Sequence, residues 1–191
     1  GQMVRLVDDL LDVSRITRNK LDLRKQRVEL AAVIQSAVET SRPGIEGREH
    51  RLTLRLPPEP LTINGDRLRL SQVLTNLLNN AAKYTPPEGW VWTELRGEEG
   101  AAVLHVRDSG RGISPDVLPT IFDPLVRNTS KEGQQSHPRS VGLGLYIVRE
   151  IATAHGIVKD YGGHIGVSSK PGKGCKVSVY LPELPTARPR A

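Results

Sequence analysis

Three polar side chains stand at helical spacing beside an apolar stripe near the middle of the chain. Asn76, Asn80 and Lys83 occupy positions i, i+4 and i+7, within roughly 60° of one another on a helix that turns ~100° per residue. Each asparagine alone could simply bond a neighbouring loop. Because asparagines inside a helix lower its stability, two of them beside a cation favour a site for phosphate and a metal ion.

A carboxylate and two glycines follow an alternating apolar run. The stretch DSGRGIS contains Asp108, Gly110 and Gly112. Taken alone, a D-x-G-x-G pattern is commonly a turn. In a binding site, the carboxylate could accept a hydrogen bond from an exocyclic amine, and glycine would let a flat ring lie against the backbone. Those are the requirements of adenine recognition, and the pattern alone leaves both interpretations open.

A glycine-led helix is the third candidate. Residues 140–145, SVGLGL, precede an apolar-periodic segment. Free amides at a helix N-terminus bind anions, although glycines also simply punctuate loops. The stretch from Asn128 to Arg139 has few apolar side chains and is typical of a mobile lid.

The elements that must position these residues alternate between helix and strand. Periodicity predicts helices over 3–16, 30–38, 66–84, 115–121 and 143–155, and strands over 21–28, 51–56, 90–96, 101–107, 163–169 and 174–181. Asp66 is expected to cap the third helix, which Pro86 and Pro87 stop. Because the strands pair mostly in hairpins, we expect an α+β fold in two layers, a mixed and mainly antiparallel sheet with helices on one face.

Bulk properties narrow the class of protein. The 191 residues carry 27 Lys and Arg against 21 Asp and Glu, with only 4% aromatics, so a nucleic-acid surface is disfavoured. The single cysteine, Cys175, excludes an internal disulfide and suggests the cytoplasm. No apolar run is long enough to span a membrane, which leaves open an anchor elsewhere in a longer protein. The opening directly into a helical pattern suggests a fragment.

Four ordered motifs carry a resemblance to a known family. RLSQVLTNLLNNAAKYTP resembles an N box, DSGRGI a first glycine box, IFDPLVR an F box and VGLGLYIVREI a second glycine box. Together they resemble the ATP-binding catalytic domain of two-component sensor histidine kinases, which has the Bergerat fold shared with gyrase and Hsp90. MVRLVDDLLDVSRI resembles the end of the dimerisation and phosphoacceptor helix. The resemblance implies a dimerisation segment over 1–19, a catalytic domain over 20–182 and a flexible tail over 183–191.

The resemblance also implies residue roles. Asn80 would bind Mg²⁺, Asn76 and Lys83 would act in catalysis near the phosphates, and Asp108 would read adenine. The nucleotide site implied by the motifs consists of Asn76, Asn80, Lys83, Tyr84, Asp108, Gly110, Gly112, Ile113, Arg127, Gly142, Leu143, Gly144, Leu145 and Cys175. The implied cofactors are ATP and Mg²⁺. The implied partners are a second copy of the full-length protein, joined through the N-terminal helix, and the receiver domain of a response regulator, with no nucleic acid.

The residues also indicate which reaction to expect. ATPases of the superfamily usually place a glutamate general base four positions before the metal-binding asparagine, and here that position holds Asn76. Slow hydrolysis is therefore expected, with transfer of the γ-phosphate to a histidine. None of the five histidines, His50, His105, His137, His155 and His164, lies in the family's acceptor pattern. The acceptor is therefore expected outside this chain, which should not phosphorylate itself alone.

Three departures from the family pattern keep two alternatives open. Leu125 replaces a common aromatic, Cys175 stands where threonine is usual, and residues 157–162 resemble an insertion. A thiol is a poor hydrogen-bond partner, so Cys175 is expected to loosen recognition of the base. The alternatives are an ATPase of the same superfamily, which Asn76 disfavours, and a degenerate interaction module without nucleotide.

Overall fold

The chain folds as a mixed sheet with helices packed on one of its faces. The computed structural model describes Leu11, Ser14 and residues 22–124, 144–155 and 165–185. The strands are β1 (Gln26–Glu29), β2 (Arg51–Arg55), β3 (Thr62–Gly65), β4 (Trp90–Glu98), β5 (Ala101–Asp108), β6 (Ile165–Ser169) and β7 (Cys175–Pro182). The helices are α1 (Leu30–Glu46), α2 (Arg67–Tyr84) and α3 (Gly144–His155). The predicted two-layer α+β architecture is confirmed.

The main sheet has five strands in the order β2-β4-β5-β7-β6. Only β2 and β4 are parallel, whereas the other neighbours pair antiparallel, with Asp108 opposite both Val91 and Cys175. Side chains alternate between the two faces of each strand. Leu104 and Val106 therefore face the helices with Val177 and Val179, and Val103, His105 and Arg107 face away.

Helix α2 lies at the centre of the helical layer and packs against α1, α3 and β5. Its buried face is the predicted apolar stripe, consisting of Leu70, Val73, Leu74, Leu77, Leu78 and Ala81. The predicted cap is confirmed, since the Asp66 carboxylate accepts hydrogen bonds from the backbone N–H groups of Leu68 and Arg69 at 3.0 and 3.2 Å. The same carboxylate accepts the N–H of Arg24 at 3.0 Å, which attaches the segment before β1 to the start of α2.

Some predicted elements differ from the structure. Strand β3 was missed, because TING is only four residues long and ends in Asn-Gly, a pair that usually signals a turn. It pairs with β1 in a separate two-stranded sheet. The helix predicted over 115–121 is wrong, since residues 115–117 form a turn and only Leu118–Thr120 are helical, as one turn of 3₁₀-helix. Pro119, inside this turn, has no backbone N–H to donate, which helps to keep the helix short.

The chain termini fall partly outside the described residues. Leu11 and Ser14 are helical, and the remaining residues of the predicted dimerisation segment 1–19 are not described. At the other end, backbone hydrogen bonds reach into the first residues of the segment predicted as a tail. Glu183 donates its N–H to the Gly100 carbonyl at 3.0 Å and Leu184 donates to Thr62 at 2.8 Å, so backbone pairing continues past residue 182.

Candidate functional site

A cavity of about 120 Å³ opens between α2, the start of α3 and the ends of β5 and β7. Most of its surface is apolar, with a few polar groups among the lining residues, as in small-molecule sites generally. The lining residues are Leu77, Asn80, Ala81, Tyr84, Val106, Asp108, Gly112, Ile113, Ile121, Gly144, Leu145, Cys175 and Val177. The structure thus brings together eight of the fourteen residues predicted for the nucleotide site.

Asp108 places a buried carboxylate on this cavity. It is the last residue of β5, on the helix-facing side, and is only 8% exposed. Its Oδ1 accepts backbone N–H bonds from Gly110 at 2.8 Å and from Cys175 at 3.3 Å. Burial raises the pKa of the carboxyl, and these two N–H bonds partly oppose that rise. The carboxyl is therefore held in place by the backbone of two separate segments.

The two glycines after Asp108 are required by the protein's own backbone. Gly112 has φ +73°, and a Cβ there would collide with the carbonyl of Lys170 in the β6–β7 turn. A Cβ on Gly110 would lie 2.6 Å from the carbonyl of Tyr84. Gly112 lines the cavity, whereas Gly110 is outside the lining set. The sequence suggested that glycine leaves room for a ligand ring. The structure adds a second reason for glycine at both positions, which is close contact with the protein's own backbone.

Of the two asparagines predicted for the site on helix α2, one lines the cavity and the other does not. Asn80 lines the cavity beside the first residue of α3, because a Cβ on Gly144 would lie 3.7 Å from Asn80 Nδ2. Asn76 is outside the lining set, and its buried Nδ2 has no hydrogen-bond partner among the described residues. A buried amide without a partner costs free energy, so a ligand oxygen that reached Asn76 Nδ2 would be favoured.

Tyr84 forms one wall of the cavity and is flanked by two cations. Lys83 donates from Nζ to the Tyr84 hydroxyl at 3.3 Å, and the same Nζ lies 4.8 Å from the ring centroid. The guanidinium of Arg111 lies 5.0 Å from that centroid. At these distances both cations are attracted by the ring. Lys83 itself is outside the lining set, so the structure places it next to the cavity wall.

Cys175 contributes a neutral thiol to the cavity. Burial and the neighbouring Asp108 carboxylate raise the pKa of this thiol to about 12, against a smaller opposite effect from a hydrogen bond with Ser169. The contact with Asp108 comes from the Cys175 backbone N–H. The fixed position of the carboxylate therefore does not depend on the cysteine side chain.

The remaining predicted residues lie outside the described part of the chain. These are Arg127, Gly142 and Leu143, together with Leu125 and the insertion at 157–162, so their roles stay predictions. Sequence reasoning missed five apolar lining residues, Leu77, Ala81, Val106, Ile121 and Val177. Most could have been found from periodicity. Val106 and Val177 lie two positions from Asp108 and Cys175 on the same strand faces, and Leu77 and Ala81 share a helical face with Tyr84.

The possible metal ligands around the cavity suit a metal ion that arrives bound to a nucleotide. They do not suit a metal ion held by protein side chains alone. Within residues 22–124, 144–155 and 165–185, no group of three His, Cys, Asp or Glu side chains could hold a metal. The side-chain oxygen of an asparagine such as Asn80 can add to the phosphate oxygens around Mg²⁺. Across those same residues, no helix combines the length and apolarity needed to cross a membrane.

Comparison with known proteins agrees with this geometry. Residues 65–185 match the family described as "Histidine kinase-, DNA gyrase B-, and HSP90-like ATPase". The chain is 33% identical over 184 residues to the histidine protein kinase DivJ of Caulobacter vibrioides, covering 96% of this chain and 29% of that protein. It is 37% identical over 181 residues to the probable sensor histidine kinase TcrY of Mycobacterium tuberculosis, covering 95% and 36%. The chain thus spans about a third of these relatives.

Solved structures agree with these matches. The mycobacterial sensor histidine kinase MprB superposes with a TM-score of 0.70 at 27% identity, over 84% of this chain and 100% of that one. Full-length ShkA, in complex with AMPPNP, gives a TM-score of 0.80 at 26% identity, over 97% and 37%. The chain therefore belongs to the histidine kinase-, DNA gyrase B- and HSP90-like ATPase family, in the branch formed by the ATP-binding catalytic domains of sensor histidine kinases.

Proposed function

We propose that this chain binds ATP with Mg²⁺ in the cytoplasm and delivers the γ-phosphate to a histidine outside the chain. The full-length protein would act as a homodimer and pass the phosphoryl group to an aspartate on a response regulator. The observation that carries the proposal is one cavity that joins a buried carboxylate, Asp108, to an amide, Asn80, beside the first residue of α3.

Asp108 and the apolar lining support binding of the adenine ring at one end of the cavity. An ionised carboxylate only accepts hydrogen bonds, so Asp108 favours a purine that presents an amine over one that presents a carbonyl. Oδ1 already accepts two backbone N–H groups, which leaves Oδ2 for the ligand. The Ile113, Leu145 and Val177 side chains would pack on the ring and exclude water.

The phosphate end is supported by α2 and α3. Helix α3 starts at Gly144, and the free N–H groups of a helix N-terminus favour an anion. Asn80, beside that terminus, would hold the metal ion, and Asn76 has its buried amide N–H group to offer. Lys83 carries a positive charge next to the cavity wall. When bound, Mg²⁺ supplies charge neutralisation on the phosphates.

The choice between transfer and hydrolysis depends on Asn76. A carboxylate there could take a proton from water, whereas an amide cannot act as a general base near neutral pH. A site without that base holds ATP until an acceptor with its own nucleophile arrives. We therefore favour phosphoryl transfer over an ATPase.

A titration with a fluorescent ATP analogue, with and without Mg²⁺, tests the proposal. We expect saturable binding, reduced at least about tenfold by Asp108→Asn, which corresponds to a loss of about 1.4 kcal/mol. Asn80→Ala should remove most of the Mg²⁺ dependence. Asn79→Ala is the matched control, since Asn79 is adjacent on the same helix and does not line the cavity. Absence of saturable binding would overturn the proposal, and rapid release of ADP would favour an ATPase.

A further inference from the structure

The sheet face opposite the helices carries an unusual group of side chains. Both tryptophans of the chain, Trp90 and Trp92, lie on this face of β4, half-buried and outside the core cluster. Exposed cations surround them on three neighbouring strands. We call this set the tryptophan–arginine patch, and it consists of Arg51, Arg55, Trp90, Trp92, Arg107 and Lys176.

Strand register brings the patch together. Trp92 lies opposite Arg107, which lies opposite Lys176 on the next strand, while Arg51 lies opposite Trp90. The Arg107 guanidinium lies 5.6 Å from the centroid of the Trp90 ring. The patch therefore forms a continuous surface across β2, β4, β5 and β7.

The charges of the patch are mostly uncompensated by the described residues around it. The Arg107–Lys176 pair places two cations directly opposite each other, an arrangement that destabilises a sheet. The neighbouring acid, Glu94, is 8% exposed and lies 3.9 Å from Arg55. The sheet thus keeps an unfavourable cation pair beside two partly exposed indoles, and an anionic partner would relieve that repulsion.

We propose that the tryptophan–arginine patch docks an acidic protein surface. Tryptophan and arginine are among the residues most enriched at the positions that dominate binding energy in protein interfaces. Single-stranded nucleic acid needs free aromatic faces for stacking, and Arg107 already lies over one face of Trp90. The patch and the nucleotide cavity occupy opposite faces of the same strands, because Arg107 alternates with Val106 and Asp108, so both can be occupied together.

The position of the tryptophans provides the assay. Because both lie in the patch, their intrinsic fluorescence reports binding there directly. We would titrate the chain with poly-L-glutamate, and separately with a single-stranded oligonucleotide of equal charge, at ~150 mM salt, where distant charges are screened. We expect saturable binding of poly-L-glutamate that the double variant Arg107→Gln, Lys176→Gln weakens by about tenfold or more.

Controls distinguish binding at the patch from nonspecific attraction to a basic protein and from loss of folding. Arg27→Gln also removes an exposed positive charge, but on β1, away from the patch, and should change affinity less than about twofold. Lys176→Gln alone should melt no lower than the parent, because it relieves the repulsion from Arg107. Binding of the ATP analogue should be unchanged in every variant, which separates this proposal from the proposed function.

Four results would overturn the proposal. These are a flat titration with poly-L-glutamate, equal weakening by Arg27→Gln, tighter binding of the oligonucleotide, and a lower melting temperature for Lys176→Gln.

Discussion

Replacing Gly112 by alanine tests whether the nucleotide cavity depends on close backbone packing. The chain offers matched controls, because Gly172 and Gly100 have nearly the same φ, +73° and +72° against +73° at Gly112. A Cβ on either control residue would meet nothing within 4 Å, whereas at Gly112 it would collide with the Lys170 carbonyl and crowd Pro171. All three substitutions therefore place a side chain at the same positive φ, and only one adds a collision.

The expected magnitudes follow from these two contributions. A left-handed conformation costs an L-residue about 1–2 kcal/mol, which applies to all three variants. Forcing an extra methyl group into a packed region adds about 1–3 kcal/mol. For a protein of this size, each kcal/mol lowers Tm by about 2–4 °C. We therefore expect roughly 2–8 °C for Gly172→Ala and Gly100→Ala and roughly 4–20 °C for Gly112→Ala.

Thermal unfolding followed by circular dichroism measures the Tm of each variant. The titration with the ATP analogue shows whether the substitution also changes nucleotide affinity. Gly112 lines the cavity and neither control does. Gly112→Ala should thus weaken the ATP analogue as well as lower Tm, whereas Gly100→Ala should affect stability alone. Equal Tm values for all three variants would refute the view that the Lys170 backbone dictates glycine here.

Three further predictions concern stability. Because burial raises the pKa of Asp108, its ionisation costs folding free energy as the pH rises above the ordinary value of about 3.9. Asp108→Asn should therefore melt at or above the parent at pH 7, with the difference vanishing near pH 4. Burial, with Lys176 and Arg96, lowers the pKa of His105, so parent stability should fall as the pH drops below about 6.5, and His105→Gln should flatten that part of the Tm profile. Asp66→Ala should cost about 1–3 kcal/mol in urea unfolding, through a lost helix cap and the lost bond to Arg24, whereas an equal loss for Asp66→Asn would contradict the cap as the cause.

Local chemistry made most of the fold predictable. The α2 stripe, its Asp66 cap and strand β5 can each be predicted from a few neighbouring residues, and all three are confirmed. The expected alternation does not appear as alternating burial, because residues 101–106 of β5 are buried on both faces. Strand β3 could not be read in the same way, because it is stabilised by pairing with β1, more than thirty residues earlier in the sequence. The 3₁₀ turn after β5 likewise has no clear local pattern.

Site residues that share one helix or strand could be predicted from the sequence. Features that depend on contact between two elements could not. Asn80 and Tyr84 were found through helical spacing and motif resemblance. The need for glycine at position 112 arises from the β6–β7 turn, and the Arg111 contact with Tyr84 joins a loop to a helix. Neither is visible in a local pattern, since each depends on how distant segments meet.

The carboxylate that faces the cavity is fixed by a part of the chain that the ribosome makes much later. The N–H of Cys175 reaches Asp108 across a separation of 67 residues, and Gly174 packs against the Asp108 carbonyl. At a synthesis rate of about 5–20 residues per second, that separation corresponds to about 3–13 s. A nascent chain thus exposes β5 for seconds before β7 can complete the pocket. A nucleotide that binds only the finished pocket stabilises the released domain and cannot stabilise its unfinished precursor.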